Sequence, residues 1–116
     1  MARDNDSVFL IEVVSRPAQL VLVLVGELDV ATVPIVERTL REVRCSSTEP
    51  PSELILDLSR LGFADLRGLE ALDAALGDER RRGGSGCVVG ASEMVLRVAR
   101  LARLDEIEAA VHLDRH

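Results

Sequence analysis

Residues 53–72 read ELILDLSRLGFADLRGLEAL, and the change of period within this stretch decides the fold. Glu53-Leu54-Ile55-Leu56-Asp57-Leu58 is short and rich in aliphatic residues, with no Gly or Pro, which makes it a strand. Leu66, Leu69, Leu72 and Leu76 then recur at the spacing that gives a helix its buried face. Asp65 stands just before that run, where a short acid can accept the unpaired N–H groups of a first helical turn. Ser59-Arg60-Leu61-Gly62-Phe63-Ala64, between the two, reads as a loop. A strand, a loop and an amphipathic helix in this order begin a crossover to a parallel strand.

Toward the C-terminus, Asp78-Glu79-Arg80-Arg81-Arg82-Gly83-Gly84 puts cations on the last helical turn and glycines just beyond it. Helix dipole and C-cap geometry favour that arrangement, and the charge run from Glu79 to Arg82 reads as a solvated helix end. Cys87-Val88-Val89 is a short fourth strand. Ser92 caps a third helix, with Val95, Val98 or Ala99, and Ala102 on one side. The segment from Ile107 to Leu113 suits either an edge strand or a helical turn, and periodicity leaves both open.

Toward the N-terminus lie two strands, Phe9 to Val14 and Gln19 to Val25, joined by a hairpin at Arg16-Pro17-Ala18. The second is apolar on both faces, as a strand inside a sheet must be. Gly26-Glu27-Leu28-Asp29 ends it. Thr32 is then expected to cap a helix that carries Pro34 in its first turn, where the missing donor costs nothing. Val33, Val36, Leu40 and Val43 form its apolar stripe, and Arg44 to Ser52 is a surface loop. The order is β-β-α-β-α-β-α. That is an α/β fold, a mixed sheet with its crossover helices packed on it. It fills one domain, residues 1–116, with a core from about 8 to 113.

Composition narrows the function. The chain has 116 residues, enough for one domain with a modest core. Its formal net charge is −6, and Phe9 and Phe63 are the only aromatics. A chain whose charge repels phosphate and that has almost no rings for stacking is ill-suited to nucleic acid. The longest apolar run, Leu20 to Val25, is far short of the ~20 residues that span a bilayer. The start, MARDNDSV, lacks the basic and apolar stretches of a secretory leader. Cys45 and Cys87 make neither a disulfide framework nor a zinc site, and two reduced thiols suit the cytoplasm. All fourteen basic residues are arginine, so lysine-dependent phosphate loops and Schiff bases are excluded.

The remaining candidates for chemistry are few. The only histidines, His112 and His116, lie in the tail, where a catalytic base is out of place. Gly83-Gly84-Ser85-Gly86 follows a helix and lacks a lysine, so it reads as a flexible turn. Asp57 and Asp65 are expected near each other at the end of the third strand, where two carboxylates could hold a metal or work as acid and base. Asp65 is more simply a helix cap. No residue pattern specifies an enzyme, a cofactor or a metal.

Gly26-Glu27-Leu28-Asp29 ahead of a capped helix, and then LILDLSRLGFADLRGLEAL, resemble the STAS domain family, and more narrowly its single-domain anti-sigma factor antagonists. The VVGAS strand end and the RLARLDEI segment belong to the same resemblance, which runs from Phe9 to about Leu113. It implies a single STAS-type domain that docks on a partner, usually a GHKL-type kinase that holds a sigma factor inactive. In the family the helix-start loop typically reads Asp-Ser-Ser/Thr-Gly, and the second hydroxyl takes a phosphate that releases the partner. Here that loop is Asp65-Leu66-Arg67-Gly68, so both hydroxyls are gone and Arg67 occupies the acceptor position.

The resemblance thus implies a partner-binding surface made of Asp29, Asp65, Leu66, Arg67 and Gly68. It implies no phosphosite at the family position, with Ser59 a displaced alternative. For Gly68, close approach of a partner and tight packing of helix on sheet are equally good readings. The expected function is an antagonist-like cytoplasmic binding protein. The alternatives are an ancillary subunit of a transporter or signalling complex, and a small-ligand sensor.

Overall fold

The computed structural model describes residues 9–46 and 53–114. The elements run β1 (Phe9–Arg16), β2 (Gln19–Leu28), α1 (Val33–Ser46), β3 (Glu53–Ala64), α2 (Leu66–Arg81), β4 (Ser85–Val89), α3 (Glu93–Leu101) and α4 (Asp105–Asp114). The expected order holds, and α4 settles the open question about the tail in favour of helix. Loop residues 47–52 and His116 lie outside the described residues, and of His112 only its place in α4 is described.

The sheet is mixed, in the order β1-β2-β3-β4. β1 and β2 are antiparallel, Arg16 pairing with Gln19 across the turn Pro17-Ala18, while β2–β3 and β3–β4 are parallel. Ala18 takes a left-handed φ of 67°, which closes the hairpin in two residues. Alternation is strict along β2 as far as Val25 and along β3 as far as Leu58. Leu20, Leu22 and Leu24 of β2, Leu54, Leu56 and Leu58 of β3, and Val88 of β4 are buried on one face. Val21, Val23, Val25 and Ile55 on the other face are half-buried. Period two thus assigns the leucines to the face that the helices cover.

α1 and α2 pack their stripes on that face. Val36 and Leu40 of α1 are buried with Val33 and Val43 beside them, and Leu69, Leu72 and Leu76 of α2 lie at the centre. Leu66, expected on this buried face, is 44% exposed. It opens the helix, directly after the end of β3 and the Asp65 cap. On α3, Val95 and Ala99 are buried with Val98 packed beside them, but Ala102 caps the helix and is exposed. α4 starts on a cap borrowed from α2, since Asp73 Oδ1 accepts the Ile107 N–H at 3.0 Å. Burial pushes the Asp73 carboxyl up, against the pull of the Ile107 and Glu106 amides. Nearby, the Arg80 guanidinium holds the Glu106 carboxyl below its usual range across a 2.7 Å contact.

Several expectations need correction. β3 does not stop at Leu58; residues 59–64 continue it along β2, with an extra β3 residue between the Val23 and Val25 pairs and another between those of Gly26 and Glu27. Those bulges break the alternation, which is why the stretch reads as loop. α1 runs through Arg44 and Cys45 to Ser46, past the expected loop start. Ser85-Gly86 belongs to β4, and only Gly83-Gly84 of the expected flexible turn lies outside it. Within the supposedly solvated run, Glu79 is 2% exposed and held by Arg44 at 3.2 Å.

Candidate functional site

The ends of β2 and β3 meet the start of α2. Asp65, in extended backbone, accepts the Gly68 N–H on its carboxylate at 2.8 Å and the Leu69 N–H on its carbonyl at 3.0 Å. It is therefore the expected N-cap. Its own N–H donates to the Leu28 carbonyl at 3.0 Å, which ties the start of α2 to the end of β2. Gly68 completes the junction. A Cβ there would lie 2.6 Å from Leu28 Cγ and 2.8 Å from Leu28 O. Gly68 is buried, so of its two readings the structure supports tight packing, and as a surface residue of the binding set it is corrected. Gly68→Ala should cost about 1–3 kcal/mol despite better helix propensity, because α2 must lift off Leu28. Urea denaturation of the pair would check it; a stabilised variant would mean the contact yields freely.

Asp29 opens the other turn. Its Oδ1 accepts the Ala31 and Thr32 N–H groups at 3.0 and 3.1 Å, and its own N–H donates to Thr32 Oγ1 at 2.9 Å. The reciprocal pair is a capping box in which Asp29 does the capping. Thr32, expected in that role, instead donates its hydroxyl back to the Glu27 carbonyl at 2.9 Å. Asp29 is half-buried and occupied by this turn, while Val30 beside it is exposed.

Leu66 and Arg67 are exposed on the first turn of α2. Phe63, the last-but-one residue of β3, and Met94, on the first turn of α3, are also exposed. Both line a hollow of about 340 Å³ with Leu58, Leu61, Ala64 and Val95. Val30, Phe63 and Met94 escaped the sequence reading. Only Phe63 leaves a trace there, as one of the chain's two aromatics in what reads as a loop.

Two other expectations separate. Asp57 and Asp65 are not neighbours: β3 runs between them, roughly 25 Å at ~3.3 Å per residue. The acid–base or metal pair is thereby corrected. Asp57 Oδ1 instead accepts the Ser59 N–H and hydroxyl at 2.9 and 2.7 Å. Ser59 lies in mid-strand, roughly 20 Å short of the cap by the same rise. Among the described residues no cluster of His, Cys, Asp and Glu is arranged to hold a metal ion, and no helix is long and apolar enough to cross a membrane.

This arrangement can recognise a protein surface. It offers exposed apolar side chains and the Arg67 cation around a helix start, with Asp29 and Asp65 committed to backbone amides.

Comparison with known proteins agrees on the architecture. No curated protein matches the chain. A solved anti-sigma factor antagonist from Mycobacterium paratuberculosis is 22% identical, with a TM-score of 0.69 over 95% of this chain and 97% of that one. The unphosphorylated anti-sigma factor antagonist SpoIIAA is 23% identical, with a TM-score of 0.66 over 84% of this chain and 82% of that one. The anion transporter SLC26A9 contains a similar unit, 18% identical with a TM-score of 0.64, over 84% of this chain but 18% of that one. At these identities the structures show a shared fold. The STAS domain model itself matches residues 10–116. With nearly all of its length matched, the chain belongs to the STAS domain family.

Proposed function

We propose that this chain is a non-enzymatic, cytoplasmic regulator of the anti-sigma factor antagonist kind. It docks a GHKL-type kinase anti-sigma factor on the start of α2 and the adjoining Asp29 turn. The observation that carries the reading is the exposure of Leu66 and Arg67 on a first turn whose cap is already satisfied by Asp65. Partner binding needs desolvatable apolar area with a specific charge, and Leu66, Phe63 and Arg67 supply both. Likeness to solved antagonists supports the choice of partner class.

Binding is constitutive in this reading. Neither Leu66 nor Arg67 can accept a phosphate, and the Arg67 charge is permanent. Incubation with a cognate kinase and ATP should leave residues 60–70 unmodified by intact-mass and peptide analysis. A gain of about 80 daltons mapped there would contradict it. Arg67→Glu should weaken binding to the kinase by about 1–3 kcal/mol in calorimetry at matched salt, with folding little changed because an acid suits a first helical turn. Unchanged affinity would remove this surface from the interface.

A second reading draws on the SLC26A9 likeness: an ancillary subunit of a transport complex. Retention of the chain in a membrane complex, with no kinase in a native pull-down, would favour it.

A further inference from the structure

We propose that the free edge of β1 is a homodimer interface, in which β1 pairs antiparallel with β1 of a second copy about a two-fold axis through Val14. Among the described residues β1 has a strand on one side only, β2. It is eight residues long, FLIEVVSR, with no Pro, Gly or Lys to blunt the edge. Leu10, Val13 and Val14 are exposed on it. Such an edge is a template for another strand unless something covers it.

The hairpin fixes which backbone groups are free. A two-residue turn closes on a hydrogen-bonded pair, here Arg16 with Gln19. Leu10, Glu12, Val14 and Arg16 therefore direct their N–H and C=O groups toward β2. Ile11, Val13 and Ser15 direct theirs outward. Sheet geometry then restricts the partner's register. An axis perpendicular to the sheet keeps like faces together, so opposed residues share parity and the axis passes through a residue.

Charge chooses among the three central positions. An axis through Glu12 sets two carboxylates directly opposite, which is repulsive. An axis through Val13 sets Glu12 against the partner's Val14 and leaves the two acids as diagonal neighbours. An axis through Val14 sets Glu12 against the partner's Arg16, and Arg16 against the partner's Glu12. It also sets Val14 on its own copy, and it matches the outward groups of Val13 with those of the partner's Ser15. Glu12 and Arg16 lie on one face, two residues either side of Val14, so the strand is its own electrostatic complement. That symmetry favours a second copy over a foreign strand. Glu12 remains available, since its existing contact with Arg60 is long, 3.5 Å, and exposed on both sides.

The test is sedimentation equilibrium on the full chain from about 1 µM to 1 mM, the range of a small interface. The wild type should show a concentration-dependent dimer. Glu12→Arg and Arg16→Glu should each weaken it about tenfold or more, because two attractive pairs become two repulsive ones. The double variant Glu12→Arg/Arg16→Glu should restore it. Val13→Pro removes an outward donor without touching the β1–β2 ladder, and it should abolish the dimer while thermal melting shows a folded chain. A monomer throughout the range overturns the proposal. So does a dimer indifferent to the single reversals or to Val13→Pro, and so does a double variant that fails to recover.

Discussion

Leu72→Ala should destabilise the protein by about 2–5 kcal/mol in chemical denaturation, the cost of a core truncation whose cavity cannot collapse. Leu72 is 1% exposed at the centre of the α2 stripe, with Leu69 and Leu76 on either side and equally buried. α2 is held by β3 and β4 beneath it and by α1, α3 and α4 around it, so no neighbour can move in without breaking another contact. Leu66→Ala on the same helix makes the control. Its side chain is 44% exposed and faces the candidate docking surface, so its loss should cost under about 0.5 kcal/mol in stability. The contrast tests helix phase. A Leu72→Ala cost below about 0.5 kcal/mol would show that α2 presents a different face to the sheet.

The same contrast shows where the sequence could be read and where it could not. Leu69, Leu72 and Leu76 are legible because burial repeats with the helical period, and no other element competes for them. Leu66 fits the same period but stands at the helix terminus, where the sheet beneath has ended. Periodicity carries no information about where the opposing surface stops. β3 was half legible for a related reason. Up to Leu58 it alternates, but its two bulges carry it on to Ala64 with the alternation gone, and Gly62 in the middle resembles a turn. The Asp57–Asp65 pair failed with it, since a loop would have brought together two residues that a strand holds apart.

Caps divide in the same manner. Asp65 and Ser92 each precede one clear helical run, and both cap it as the sequence predicts. Asp29 and Thr32 are both good caps three residues apart, and in a reciprocal box sequence alone assigns the role to the residue nearer the stripe. Of the candidate docking surface, the sequence points only to Asp29 and the 65–67 stretch, where residues can be set against a family pattern. Val30, Phe63 and Met94 come from a turn, the end of β3 and the first turn of α3, and only the folded chain reveals that all three remain uncovered.

Arg44→Ala should destabilise the fold by about 3 kcal/mol, whereas Glu79→Met should be neutral or stabilising. The asymmetry follows from how poorly Glu79 is placed. It is 2% exposed; its Oε1 accepts one bond from Arg44 at 3.2 Å, and its Oε2 has no partner among the described residues. It lies near the C-terminal end of α2, where the helix dipole disfavours an acid. Arg44, by contrast, stands in the last turn of α1, where a cation is favoured, and its side chain is 17% exposed. Removing the arginine leaves a buried carboxylate without its counter-charge. Removing the carboxylate releases an arginine that can turn to solvent, and it leaves an apolar side chain of similar length in the buried position. The double variant Arg44→Ala/Glu79→Met should then lie within about 1 kcal/mol of Glu79→Met, a large departure from additivity. Urea denaturation of the four proteins measures that coupling directly. A Glu79→Met penalty above about 2 kcal/mol would show that the carboxylate is held by more than Arg44. Near-additive penalties would show that the α1–α2 contact stands on its apolar stripes alone, with the ion pair incidental to it.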